Sequence, residues 1–448
     1  MRPRLSELRL TEFKSFRHDS VLPLGDMSVL IGRNSSGKSN ALDGLEVLSR
    51  LAAGGDIVDA LDSRRGDEGA LRGGIEGCPP HGADRFRLGC SVIAPNRMAG
   101  DGYFWTQLDV TVQVRPEPEI IEETFRGLSG RRRNTRDLTT RNLHTLMTTL
   151  ESPPGLGSID ARWYRGARGR DPRASFRSTR LLTAQLPLRL ARDTRAEQLV
   201  AEAAEDMLEA LEGVFHLDPV PHLMRQYVPG RDVRLRRTGE NLSAVIGQMA
   251  ERNPEQFAQL LELVRELVEH EVTGIEVIRS ELNDVMLALR EGRATTPARE
   301  MSDGLLRFMA IATTLITQGR DVDLGGAQDQ TRSVTVVIEE LENGLHPSQA
   351  GKALGLVRRA VRDDGAQVVF STHSPALLAQ LSADDHKSVI VCSRDPETRE
   401  STLVRLPDLD GYPRLMAQGD LGAVVTSGVM SERPRQQFSE FDRLMGIG

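Results

Sequence analysis

The segment Gly32-Arg33-Asn34-Ser35-Ser36-Gly37-Lys38-Ser39 fits the pattern GxxxxGK[ST] and restricts the fold more than any other feature of the chain. It follows a short apolar run, DMSVLI (26–31), that reads as a buried strand. It precedes residues 39–51, which place Leu42, Leu45, Leu48 and Leu51 on one helical face. A strand, a glycine- and serine-rich loop and a helix in that order can cradle a phosphate. The glycines let the backbone curl so that N–H groups of Arg33 to Ser36 point inward, and the helix aims its N-terminal dipole at the same anion. Lys38 then supplies a positive charge to the β- and γ-phosphates, and Ser39 offers a hydroxyl to Mg²⁺. The plain alternative is a Gly/Ser turn. Lysine is scarce here: Lys14, Lys38, Lys352 and Lys387 stand against 53 arginines, so each lysine's position invites a question.

Composition narrows the remaining possibilities. With 448 residues, 39% hydrophobic and 27% charged, the chain has ample material for a core, which excludes a disordered protein. Cys78, Cys90 and Cys392 are far apart and form no CxxC pair, which excludes a disulfide framework and a zinc finger. No apolar run reaches about 18 residues, so a soluble, cytoplasmic protein without a membrane partner is expected.

Residues 7–16 alternate as a strand, 53–84 read mostly as loop, and 86–94 with 103–114 read as an antiparallel hairpin. Helical spacing appears over 196–215, 254–272 and 274–292. A final block has a helix near 304–317, a strand at 333–338, a helix near 348–362, a strand at 367–371 and a helix near 375–382. In that block the apolar strand Val334–Ile338 ends in Glu339 and Glu340. A buried parallel strand delivers carboxylates at the ligand edge of the sheet. Glu339 would hold Mg²⁺, and Glu340 would orient or deprotonate an attacking water. Two surface glutamates at a solvated strand end are the alternative.

Taken with Met301-Ser302-Asp303-Gly304-Leu305-Leu306-Arg307, Leu341-Glu342-Asn343-Gly344-Leu345-His346-Pro347 and Phe370-Ser371-Thr372-His373-Ser374-Pro375, the two sites resemble a family. They look like the ABC-type ATPase heads of the RecF, OLD and SMC-like class. They are most similar to the compact bacterial AAA-family ATPases of the AbiEii-toxin-associated and Septu-type defence systems. FKSF at 13–16, Asn40, HLDPVPHLMRQY (216–227) and GENLSAVI (239–246) match that group too, over roughly 5–430.

The resemblance implies an α/β P-loop fold: a mixed sheet core, an antiparallel β subdomain and an inserted helical lobe. The chain would divide into 1–125 (first part of the head), 126–193 (arginine-rich insertion), 194–300 (helical lobe), 301–430 (second part of the head) and a tail, 431–448. ATP and Mg²⁺ are the implied ligands. Asn40 would extend the phosphate loop, and Ser302, Asp303 and Gly304 would cap the γ-phosphate of ATP held by a second subunit. Asn343 to His346 would form the loop at the dimer seam, and His373 would be the switch histidine. Gln185 would complete the metal site together with Ser39 and Glu339. The family more often has Asp-Glu-Pro-Glu where this chain has Glu339-Glu340-Leu341-Glu342. Glu339 reaches one methylene further, and loss of the proline is expected to loosen the following loop.

Residues 131–180 hold twelve arginines and no lysine against four acids, a net +8 that leaves −15 elsewhere. Arg131, Arg132, Arg133, Arg165, Arg168, Arg170 and Arg173 are candidates for phosphate contacts, and the interleaved Trp163, Tyr164 and Phe176 for stacking on unpaired bases. A solvated loop and an acidic-protein dock are the alternatives.

The reading that follows is an ATP-switched homodimer, or a higher even oligomer, that acts with DNA and with a separate nuclease or toxin in defence or repair. A low-turnover ATP sensor is the second reading. A self-contained nuclease using Asp408-Leu409-Asp410 has too few residues after His373 for a further catalytic fold. A transporter subunit is disfavoured because MSDGLLR replaces LSGGQ.

Overall fold

The structure is a computed structural model that describes residues 2–62, 71–95, 103–130, 143–153, 155–166, 170–268, 270–324, 333–362, 365–417 and 419–426. Arg131, Arg132, Arg133, Arg168 and the 431–448 tail lie outside the described residues.

Three sheets organise the chain. The central one has six strands in the order Val214–Leu217, Thr335–Ile338, Gln367–Thr372, Met27–Ile31, Val389–Arg394 and Ser401–Arg405. The first five run parallel and the last is antiparallel. Both faces of this sheet are covered, and its strands alternate between two cores. Leu30, Val337 and Val369 belong to one core, whereas Val29, Ile31, Val336, Ile338, Val368 and Phe370 belong to the other. Burial on both faces explains why Met27–Ile31, Thr335–Ile338 and Gln367–Thr372 are buried at every residue.

The second sheet has eight antiparallel strands: Ser20–Pro23, Arg4–Thr11, Arg85–Pro95, Tyr103–Gln113, Glu119–Gly130, His144–Thr149, Ser158–Trp163 and Arg173–Arg177. The arginine-rich stretch is thus the far half of this sheet among the described residues. The helix Lys38–Ala52 lies in the core between the two sheets, together with Arg195–Glu212. A Cβ on Gly44 would stand 2.4 Å from the Leu10 methyl, so this glycine lets the helix seat closely on strand Arg4–Thr11.

Two expectations need correction. Residues 274–292 form no helix. They are the hairpin Gly274–Arg279 and Asp284–Glu291, in a third sheet with Val228–Pro229 and Ala294–Pro297. Val285 to Leu289 are all buried, and such a run satisfies helical spacing by default. The β-branched Ile275, Val277 and Ile278 and the left-handed Asn283 (φ 63°) at the turn favour the hairpin. The stretch 53–84 is also not plain loop: it carries the helix Ile57–Leu61 and a 3₁₀ turn at Ile75–Gly77.

Candidate functional site

The phosphate loop leaves strand Met27–Ile31 at the ligand edge of the parallel sheet. Gly32 (φ 151°) and Gly37 (φ 112°) adopt conformations that favour glycine. Side chains there would also collide: a Cβ on Gly32 would meet the Cys392 carbonyl at 2.2 Å, and one on Gly37 the Ser401 hydroxyl at 2.4 Å. Strand Val389–Arg394 and its hairpin partner therefore shape the loop from outside. Cys392 Sγ and Ser401 Oγ both donate to the Ser36 carbonyl, at 3.2 and 2.7 Å, and Arg394 donates to the Ser35 carbonyl at 3.3 Å. Asn40 Nδ2 donates to Ser15 Oγ at 2.8 Å, which ties the FKSF segment to the same frame.

No side chain caps the helix that starts at Lys38, so its first N–H groups face the loop's hollow. Lys38 Nζ donates to the Gly32 and Arg33 carbonyls at 2.7 and 3.0 Å. Burial lowers the pKa of this ammonium, and the nearby carboxylates Glu340, Glu342 and Glu339 oppose that shift. The hollow holds about 380 Å³ and is lined by Asn34 to Asn40 with Glu340, Ser371 and Arg394.

The structure brings the two distant motifs together. Ser39 Oγ donates to Glu339 Oε2 at 2.5 Å. Arg72, which the sequence reading missed, contacts the same pair. Its guanidinium donates to Glu339 Oε1 and Asp43 Oδ1, both at 2.7 Å, and to the Ser39 carbonyl at 3.3 Å. Lys14 Nζ closes the network on Asp43 Oδ2 at 2.7 Å and the Arg72 carbonyl at 2.8 Å. The hints of Lys14 were the scarcity of lysine and its place in FKSF (13–16). Arg72 carried none, because it sits in a glycine-rich stretch.

Glu340 adopts a left-handed conformation (φ 50°), and its N–H donates to Ser371 Oγ at 3.0 Å. Its carboxylate stands 3.6 Å from His373 Nδ1, and Glu342 stands 3.5 Å from the same nitrogen. Glu342 also accepts from the His373 N–H at 2.9 Å. Leu341 is fully buried, and its N–H donates to the Ser371 carbonyl at 3.1 Å, a bond that proline could not make.

Ser302 caps the helix Asp303–Ile316 by accepting from Leu305 N–H at 3.3 Å, and Asp303 pairs with Arg225 at 2.6 Å. Gly304 packs against the loop carrying Asn343: a Cβ on Gly304 would lie 1.9 Å from the Gly344 carbonyl oxygen. Ser302 and Asn343 are exposed on this face.

Gln185 is not brought to the Ser39–Glu339 pair. Its amide nitrogen donates to the Arg177, Arg180 and Leu181 carbonyls and its oxygen accepts from the Arg177 N–H, so the side chain is committed to its own turn. Arg165, Arg170 and Arg173 are exposed on the far half of the antiparallel sheet or its loop.

A family model described as "AAA domain, putative AbiEii toxin, Type IV TA system" matches residues 27–379, which include the phosphate loop, Glu339, Glu340 and His373. The chain belongs to this AAA family. No protein of curated function matches the AAA chain. Among solved structures it is similar to an SMC head bound to the C-terminal winged-helix domain of ScpA, at 12% identity and a TM-score of 0.47, over 90% of this chain and 97% of that one. It is also similar to the SMC head domain from Thermotoga maritima, at 14% identity and a TM-score of 0.36, over 90% and 98%. A third is the Smc head domain with an extended coiled coil bound to ScpA, from Pyrococcus furiosus, at 12% identity and a TM-score of 0.41, over 90% and 96%.

The residues of the AAA domain fit a nucleoside triphosphate with a divalent cation. Ser36 Oγ and Glu342 Oε2 are buried without a hydrogen-bond partner among the described residues, as polar atoms awaiting a ligand would be. Ser39 and Glu339 supply the hydroxyl and carboxylate oxygens that Mg²⁺ prefers. Among the described residues no helix is long and apolar enough to cross a membrane.

Proposed function

We propose that the chain binds and hydrolyses ATP, and that two copies close on the nucleotide to act on nucleic acid alongside a separate nuclease or toxin in bacterial defence or DNA maintenance. The 2.5 Å contact of Ser39 with Glu339, beside a hollow that Glu340 also lines, carries this reading.

Gly32 to Asn40 would hold the phosphates, with the Lys38 ammonium turning from its two carbonyls to the β- and γ-phosphate oxygens. Ser39 and Glu339 would hold Mg²⁺, which supplies charge neutralisation on the phosphates. Glu340 would take a proton from a water whose oxygen attacks the γ-phosphorus. The bond from that phosphorus to the β-bridging oxygen breaks, and its electron pair leaves with ADP. His373 lies between Glu340 and Glu342 and would orient Glu340 and the γ-phosphate. Ser302 and Gly304, with Asn343 beside them, would complete the partner's site from a helix N-terminus, which favours an anion.

A low-turnover sensor is the second reading. It is favoured by the Arg72 guanidinium, which engages both Glu339 and the Ser39 carbonyl and must yield before a metal takes its place.

Phosphate release by the wild type and by Glu340→Gln separates the two. In a hydrolase the variant binds a fluorescent ATP as the wild type does but turns over at least about a hundredfold more slowly. Equal, slow release by both chains supports the sensor and removes Glu340 as the base.

A further inference from the structure

One row of paired residues runs across the outward face of the eight-stranded sheet from Arg9 through Asp109, Thr124 and Thr148 to Arg162 and Arg173. In the near half of this face Arg9 meets Asp109 at 2.9 Å and also pairs with Glu7, and Arg126 meets Asp109 at 3.6 Å, whereas the exposed Arg87 has no ion pair among the described residues. At the far end the register sets Arg162 directly opposite Arg173, with Arg177 further along the same edge strand and opposite Ser158. Among the described residues none of these three has a carboxylate within ion-pair distance, and all three are exposed. Asp160 lies opposite Ser175 on these strands, and the Arg177 charge also acts on the Asp56 carboxylate. Like charges placed opposite each other in a sheet cost stability, so an anion bound across Arg162 and Arg173 would be stabilised there.

The same strands turn their rings the other way. Trp163 is 9% exposed and Phe176 is 1% exposed. They pack edge to face in the core with centroids 6.3 Å apart. The alternation that exposes Arg162, Arg173 and Arg177 therefore buries the aromatics, and the expectation that those two rings stack on unpaired bases is corrected. Single-strand binding without sequence preference relies on exposed stacking platforms. A flat face of guanidiniums suits phosphates held in a regular array. Arg173 and Arg177 are about 13 Å apart along the strand, comparable to the roughly 12 Å width of a major groove.

We infer that the face formed by Arg162, Arg173 and Arg177 docks the phosphate backbone of duplex nucleic acid. This deepens the nucleic-acid part of the proposed function and is independent of the ATP chemistry.

The test is fluorescence anisotropy of the full chain, without nucleotide, on a random-sequence DNA duplex and on a single strand of the same length, from about 50 to about 200 mM salt. The wild type should bind the duplex at least as tightly as the single strand. The triple variant Arg162→Gln, Arg173→Gln, Arg177→Gln should bind at least about tenfold more weakly, with a log–log salt slope shallower by about 0.9 per arginine removed. The Arg→Lys triple should keep the wild-type slope. Unchanged binding of fluorescent ATP shows that the variants are folded, and it separates failure here from failure of the ATPase reading. If the glutamine triple does not fold, Arg177→Gln alone should flatten the slope by about 0.9. An unchanged slope in the folded glutamine variants, a tenfold preference for single strands, or binding of polyglutamate but not of duplex would each overturn the inference.

Discussion

Chemistry in this chain is decided by a few side chains whose partners lie hundreds of residues away. Ser39 and Glu339 were legible because each sits in a contiguous pattern that phosphate chemistry demands. Arg72, Asp43 and Lys14 were not, because Arg72 meets Asp43 and Glu339 only through tertiary contacts 29 and 267 residues apart. A second buried cluster links that helix to the edge of the parallel sheet: Glu46 accepts from Arg50 and Arg237, both at 2.6 Å, and faces His216 at 4.0 Å. Burial lowers the His216 pKa from 6.5 to about 4, with Glu46 opposing that shift. The unfolded imidazole takes up a proton near pH 6.5 while the folded one resists until about 4, so stability should fall as pH drops through this window. The full shift corresponds to about 3 kcal/mol. Denaturant melts at pH 7 and pH 5 should show a loss in the wild type that is much reduced in His216→Gln. An equal acid loss in both chains would assign the effect to other groups.

Elements read correctly where burial was on both faces or one stripe was clear, as in the phosphate-loop strand and helix and the strand before Glu339. The misread hairpin at 274–291 shows the limit: five consecutive buried residues carry no period, and only Asn283 marked the turn. Tertiary packing then sets what an element can tolerate. The N-terminus of helix Asp303–Ile316 rests directly on the loop after Glu342, with no room for a methyl group on Gly304. Gly304→Ala should therefore cost about 1–3 kcal/mol and displace that loop. A urea melt should show the loss, and phosphate release should fall with it. Wild-type stability in the alanine variant would mean that the two elements are not held in this contact.

At the scale of the whole molecule, the parallel sheet carries the phosphate loop and both carboxylates on one edge, while Ser302 and Asn343 stand exposed on a neighbouring face of the same chain. The mixed sheet with an antiparallel subdomain was expected from the resemblance to ABC-type ATPase heads. What periodicity could not supply was that the arginine-rich stretch continues the antiparallel sheet, since strand pairing is a long-range choice. The proposed composite site would use the nucleotide cradle of one copy and the exposed Ser302 helix end of another. Light scattering on Glu340→Gln, with and without ATP and Mg²⁺, tests this most directly. A single-chain mass without nucleotide and a doubled mass with it are expected. A variant that binds fluorescent ATP yet keeps its single-chain mass at saturating nucleotide would contradict it.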